Sequence, residues 1–494
     1  MIRCVAFIHT YARDGELGSY MNKLVDAFVH NGIELHLIYT NHLVGNLANR
    51  SYRHDVSAAA VAKYITDLQP DFVFSTNRGG ITREIMRAVE CPIVTWLVDR
   101  IPFRHHGGDH HDLFCEKDYL ITSAHDNIKY FEGIYPVLKG RVIYLPFATD
   151  PAEFSDRTRT QDVNVSFVGT YFSCGYLKDL LAQYRSDDRI FAGLLALSDE
   201  IKADYDLDIE AAIRRHGLQE LMIAHDLDAF RLKGLVANML SLNSRIQALH
   251  AVADLGLELY GTDNWVESVD YSLELMKAYQ RNKFIKTREQ LVGLYQRSKI
   301  GVNVSHVQAK DGLPYRVFDI MASNALLITD YRKTSDLYKL FGAELPVPMY
   351  RDPCELRSLV RHFLEHDDER RQIVAECNRL IANGHTFSDR VKAILDMLSL
   401  STHEDTRGEL HVVDVARFTS VTKCVMSSLD ILPSGKSSRN DASNSIAHRS
   451  LVALARVCFW LYKRLPPRYK TRLRARVFRV FNRDYLATLI EEMR

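Results

Sequence analysis

The chain has 494 residues, beyond the roughly 250–300 at which a single hydrophobic core stops growing, so two or three folded units are expected. With 47% apolar and 25% charged residues, its composition is globular and excludes fibrous, disordered and membrane-spanning classes. The formal net charge of +1 conceals a local basic segment, 449–483, with eleven Lys/Arg and no Asp/Glu.

The eight cysteines (Cys4, Cys91, Cys115, Cys174, Cys354, Cys377, Cys424 and Cys458) are scattered without Cys-x-x-Cys spacing, which favours a reducing, cytoplasmic compartment. The chain opens on a strand-like run without a signal-peptide pattern. Short apolar runs at 5–8, 34–39, 71–75, 93–98, 119–122 and 141–145 alternate with amphipathic stretches, as in a parallel sheet wrapped by helices. In the first of those helices, 20–30, Met21, Leu24, Val25 and Phe28 recur at helical spacing before the stop Asn31-Gly32. Residues 1–155 therefore read as a Rossmann-like unit. Its Gly-containing loop, with Gly15 and Gly18, either approaches a phosphate or acceptor or merely turns the chain.

A polar run at 155–162 separates this unit from a second, 163–400. Strands are expected at 163–168, 257–260, 300–304 and 325–329, helices at 289–298, 317–323, 353–364 and 368–400, and a helical insertion at 177–252 that carries no chemical motif. The fold class is thus α/β with two doubly wound units. The Ser/Asn/Gly/Asp/Pro-rich stretch within 401–448 reads as a flexible connector, and 449–494 as a basic amphipathic helical tail.

The segment 311–330, from Asp311 to Asp330, is the most informative. A polar loop enters a helix and a buried strand follows, and such a junction offers backbone N–H groups and the helix's positive end to a phosphate. Val165-Ser166-Phe167-Val168-Gly169, Ile300-Gly301-Val302-Asn303-Val304-Ser305, Gly312-Leu313-Pro314-Tyr315-Arg316-Val317-Phe318-Asp319 and Ala325-Leu326-Leu327-Ile328-Thr329-Asp330 occur in order. On these pieces the chain resembles the CgeB-like branch of GT-B glycosyltransferases and, more distantly, the retaining family-4 sugar transferases. The resemblance implies that Asp319 meets the nucleotide ribose and Asp311 the donor sugar, although aspartates stand where the family pairs glutamates. The alternative for Asp319 is a helix-surface carboxylate. Arg316 lies three residues before Asp319, so the two share a face if both are helical, and its planar guanidinium suits a diphosphate unless it only pairs with that neighbour. Gly169 ends the strand after which many family-4 members carry an Arg and a Lys. Here no Arg follows, and Lys286 and Lys310 are the available substitutes.

Asp99 and His105 fall in the polar stretch after the 93–98 strand, where a carboxylate or imidazole can orient or deprotonate an acceptor hydroxyl. The His/Asp density of 99–112 matches no metal signature, so no metal and no cofactor is expected. The implied activity is transfer of a sugar from a nucleotide-activated donor to a glycan, lipid-linked or other hydroxyl between the two units, with retention. The alternatives are a non-catalytic glycan- or nucleotide-binding protein and a Rossmann-type epimerase or dehydrogenase, for which the Gly-x-Gly-x-x-Gly signal is missing. The tail either lies on an anionic membrane from the cytoplasmic side or docks on protein; nucleic acid is the least favoured partner.

Overall fold

The computed structural model describes residues 1–9, 19–46, 51–53, 55–99, 113–280, 285–342, 345–402 and 407–419. Residues Met1–Val421 cluster as one compact unit that contains two parallel sheets. The α/β class and its two doubly wound units are as expected.

The first half contributes β1 (Ile2–Ile8), β2 (Ile33–Tyr39), a small antiparallel hairpin of β3 (Val44–Asn46) and β4 (Ser51–Tyr52), then β5 (Phe72–Thr76), β6 (Ile93–Leu97), β7 (Asp118–Thr122) and β8 (Val142–Tyr144). Apart from the hairpin, these strands pair in parallel in the order β2-β1-β5-β6-β7-β8. Every residue of β5 and β6 is buried, because helices cover both faces of the sheet. Local signals set the flanking helices. Ser57 caps Ala58–Leu68 by accepting from the Ala60 N–H, and Gln69, at φ 50°, ends that helix.

The second half contains β9 (Val163–Val168), β10 (Leu257–Tyr260), β11 (Ser298–Asn303), β12 (Leu326–Asp330) and β13 (Met349–Tyr350), all parallel, in the order β10-β9-β11-β12-β13. The helical insertion is present as Gly175–Gln183, Asp188–Ala203, Ile209–Arg215, Gln219–Ala224 and Ala229–His250. Asp187, Asp208 and Asp228 cap three of these helices through their carboxylates. The insertion has its own core around Leu194, Leu197, Ile201, Leu232 and Val236. The C-terminal half of its last helix instead packs Leu242, Ile246 and Leu249 on the second sheet.

The chain then returns to the first half, which revises two boundaries. Helix Phe387–Met397, read as part of the second unit, docks on the first: Asn31 Nδ2 donates to Ser388 Oγ at 3.0 Å, and Arg390 donates to the carbonyls of Pro146 and Phe147 at 2.8 and 3.0 Å. Residues expected to lie in the connector form β14 (Leu410–Val412), a parallel edge strand that pairs His411 with His36. All three of its side chains are exposed, so its apolar Leu410 and Val412 point away from the core, and backbone pairing with β2 holds the strand in the sheet. Residues 420–494, including the basic tail, lie outside the described residues. Among the described residues no helix is long and apolar enough to cross a membrane.

Candidate active site

A cleft of about 150 Å³ opens where the carboxyl ends of the two sheets face each other, the place where open α/β sheets bind ligands. Leu97 ends β6 and Val98 and Asp99 follow it, while Thr122 ends β7 and Ser123 and Ala124 follow it. The second half supplies Val304 and His306 after β11, the loop Gly312-Leu313-Pro314, and Arg316 in helix Tyr315–Ala322. Arg245 enters from the last helix of the insertion.

The two arginines dominate the electrostatics. Arg245 is 3% exposed; its Nη1 donates to the Thr170 carbonyl, while its Nε has no hydrogen-bond partner among the described residues. Nη1 of Arg316 is likewise buried and unpartnered. Both guanidiniums lie over the Phe167 ring, at 5.7 Å for Arg245 and 5.4 Å for Arg316, and Arg245 also covers Phe172 at 4.3 Å. Burial lowers the pKa of both, and for Arg245 the repulsion of Arg316 adds to the effect. Guanidinium nevertheless stays protonated in proteins. The cleft wall therefore holds two like charges, an arrangement that favours an anion in the cleft.

Gly169 makes room for this arrangement. A Cβ there would stand 2.8 Å from the Phe167 ring and 3.4 Å from Arg316 Nη1. Gly312 has the same role between the halves, because its Cβ would meet Ala124 Cβ at 2.9 Å and the Ser123 carbonyl at 3.2 Å. The helix that begins after Pro314 has no side-chain cap, so its first turn leaves backbone N–H groups to be satisfied at the cleft.

On the opposite wall, Asp99 is exposed and accepts from Asn77 Nδ2 at 2.8 Å. Asn77 Oδ1 in turn accepts from the N–H groups of Val98 and Asp99 at 2.8 and 3.1 Å. Asn77 and Arg78 both adopt left-handed backbone, with φ of 48° and 56°, a conformation that asparagine tolerates better than most residues. This turn aims Asn77 at Asp99, while the Arg78 guanidinium is buried against the Asp118 carboxylate. His306 accepts from the Gln308 N–H at its Nδ1 and lies 3.2 Å from Asn238 Oδ1 through its Nε2. Burial, then the Arg245 charge, pushes its pKa down to about 4, so it lines the cleft as neutral imidazole.

Asp319 does not face the cleft. It is 0% exposed, and both carboxylate oxygens are occupied. Arg288 donates to them at 2.7 and 2.8 Å, Tyr20 through its hydroxyl at 2.7 Å, and Thr149 through Oγ1 at 2.6 Å. Arg288 also binds Glu153 at 2.8 Å, and Lys23 reaches Glu153 at 3.1 Å. The expected ribose ligand is therefore a buried clasp joining the two halves, since no lone pair is free and no path leads to it. Nor is Arg316 its ion-pair partner; Arg288 takes that place. An aromatic stack continues the clasp, with Tyr315 between Tyr20 at 3.9 Å and Phe147 at 3.8 Å.

Asp311 is also displaced from its expected role. Its carboxylate meets Lys339 Nζ at 3.3 Å, and it does not belong to the cleft lining, although its neighbour Gly312 does. Lys310 is held by Asp204 and Asp206 at 2.9 and 2.7 Å, and Lys286 is exposed. Gly15, Gly18 and His105 lie outside the described residues. Asp99, Gly312 and Arg316 are thus brought together in the cleft, Gly169 sits directly behind Arg316, and Asp311 and Asp319 are turned away. Arg245 and Asn77 were missed. A lone cation among Leu242, Ile246 and Leu249 at helical spacing is the signal that could have found Arg245.

Residues 245–396 match a family described as glycosyl transferase-like. No curated protein sequence matches the chain significantly. Among solved structures, the chain is similar to a glycosyltransferase from Rickettsia africae at 10% identity, covering 81% of this chain and 98% of that one, with a TM-score of 0.45. It is similar to T4 phage β-glucosyltransferase in complex with UDP-glucose at 9% identity, covering 81% and 100%, with a TM-score of 0.43. The Anabaena protein HepE in complex with UDP-glucose gives 10% identity, 81% and 100% coverage, and a TM-score of 0.47.

Proposed function

We propose that the chain is a glycosyltransferase that moves a hexosyl group from a nucleoside-diphosphate donor to an acceptor hydroxyl in the cleft between its sheets. The observation that carries this reading is the pair of cleft-lining guanidiniums, buried Arg245 and half-buried Arg316, opposite the exposed carboxylate of Asp99. The matched family segment begins at Arg245 and includes Arg316. As the bond from the anomeric carbon to the diphosphate oxygen breaks, its electron pair passes to the diphosphate. Two fixed cations on the cleft wall stabilise that developing charge. They supply positive charge from the chain itself, which supports a metal-independent reaction.

The acceptor hydroxyl oxygen forms the new bond to the anomeric carbon. With retention, which the family-4 resemblance favours, the hydroxyl's proton passes to the departing diphosphate, and Asp99, held by Asn77, orients the hydroxyl. A panel of UDP-, GDP- and ADP-hexoses, assayed for free nucleotide release and for donor binding, tests the reading. Wild type should release nucleotide from one donor. Asp99→Asn should lower transfer roughly 10²-fold or more while leaving the donor dissociation constant within about twofold. Binding without release from any donor would make the chain a carrier or sensor, and wild-type transfer in Asp99→Asn would remove Asp99 from the acceptor site.

The acceptor in this reading is a glycan or lipid-linked sugar, with the basic tail 449–494 drawing the enzyme to an anionic membrane. The tail's eleven Lys/Arg without an acid from 449 to 483 support this, each contributing about 1 kcal/mol near such a surface. The full chain should co-sediment with anionic vesicles at low salt and lose most of that binding at high salt. Equal pelleting of a chain truncated after Val421, which keeps β14 and the rest of the compact unit, would assign the tail to protein docking instead.

A further inference from the structure

We infer that Glu34, His36 and His411 form a zinc-type cation site that clips β14 to the edge of the first sheet. Glu34 and His36 lie two apart on β2 and so project from one face. The parallel register sets His411 of β14 beside His36 on that same face. The two imidazoles stack with centroids 4.7 Å apart, and one ligand atom from each of the three residues lies within 4.8 Å of the others. Glu34 Oε1 is 2.9 Å from His36 Nε2 and 4.0 Å from His411 Nε2, which makes it the shared centre of the group.

The surroundings orient these ligands as outer-sphere groups do in metal sites. Tyr64 contacts His36 Nδ1 at 2.8 Å, which directs Nε2 to the centre. Arg3 holds the other Glu34 oxygen, Oε2, at 3.0 Å and leaves Oε1 available. Glu409 lies 3.5 Å from His411 Nε2, an oxygen donor at the rim. Two imidazoles and a carboxylate are a ligand set suited to zinc, with a fourth position for water or Glu409. None of these residues lines the cleft, so the site is independent of sugar transfer. Its physical role follows from the weakness of β14, a three-residue edge strand with exposed side chains. A cation bridging residues 36 and 411 cross-links that strand across most of the chain.

The test uses full-length protein carrying Cys354→Ser to remove an exposed thiol, stripped with chelator and titrated with zinc by equilibrium dialysis. One ion per chain is expected to bind. His411→Ala should weaken it roughly 100-fold or more, since losing even an outer-sphere partner costs about 10–100-fold. His411→Cys should restore it. His411 is exposed, so its replacement leaves the core intact. Wild type that binds no zinc, or His411→Ala that binds it as tightly as wild type, would overturn the site.

Discussion

Replacing Arg245 or Arg316 with Ala is expected to remove donor binding while leaving the free protein as stable as wild type or more so. The two effects share one cause. Arg245 is buried and Arg316 half-buried, each has a buried nitrogen without a partner among the described residues, and each pKa is depressed by desolvation. In the free protein they repel one another at a desolvation cost, and deleting one relieves that cost. In the proposed donor complex they would face the diphosphate, where losing one partner of a desolvated charge pair costs roughly 2–5 kcal/mol, or about 30-fold to several thousand-fold in affinity. Arg→Lys should recover only part of the loss, because an ammonium cannot reproduce the planar bidentate fork. Donor titration and urea unfolding on the same samples decide the matter. Wild-type donor affinity in both Ala variants would sink the diphosphate assignment, and a large loss of stability would recast the pair as structural.

The opposite signature is expected for Asp319→Ala, which should destabilise the fold by about 3–5 kcal/mol because it leaves the buried Arg288 cation unpaired. Asp319 receives four hydrogen bonds from Arg288, Tyr20 and Thr149, drawn from both halves of the chain. The damage should therefore appear as loosened contact between the halves as well as a lower unfolding midpoint. The double variant Asp319→Leu/Arg288→Met should recover much of the loss, since replacing a buried ion pair with apolar groups of similar volume is often neutral or stabilising. Should Asp319→Ala unfold at the wild-type midpoint and lose only nucleotide binding, the clasp would be wrong and the ribose role restored.

These contrasting expectations for Arg316 and Asp319, three residues apart in one helix, show where sequence reading reaches its limit. The expected helix, 317–323, included Asp319 but began one residue after Arg316, whereas the helix runs Tyr315–Ala322 and holds both. Helical spacing did not reveal that Arg316 turns to the cleft while Asp319 turns into the interface between the halves, because that depends on what Tyr20, Thr149 and Arg288 bring from distant positions. Arg245 is a similar case. Its helix was legible, but its closeness to Arg316 arises from the insertion folding back over the second sheet.

The sequence alone determined the layered architecture. Strands buried on both faces must be apolar throughout, and helices covered on one face must repeat at 3.6 residues, so β1, β5, β6, β9 and β12 and their helices are written locally. It also placed Asp99, Gly312 and Arg316 at strand ends and loop junctions, where such folds keep their chemistry. Tertiary structure alone decided which charges are consumed and which are left for a ligand. It paired Asp319 with Arg288 and Asp311 with Lys339, left nitrogens of Arg245 and Arg316 unsatisfied, and added β14 to the first sheet through backbone hydrogen bonds. The physical reason is that hydrophobic periodicity is a property of neighbours in sequence. The partner of a buried charge, or of an edge strand's backbone, is set by whatever the completed fold brings within about 3 Å.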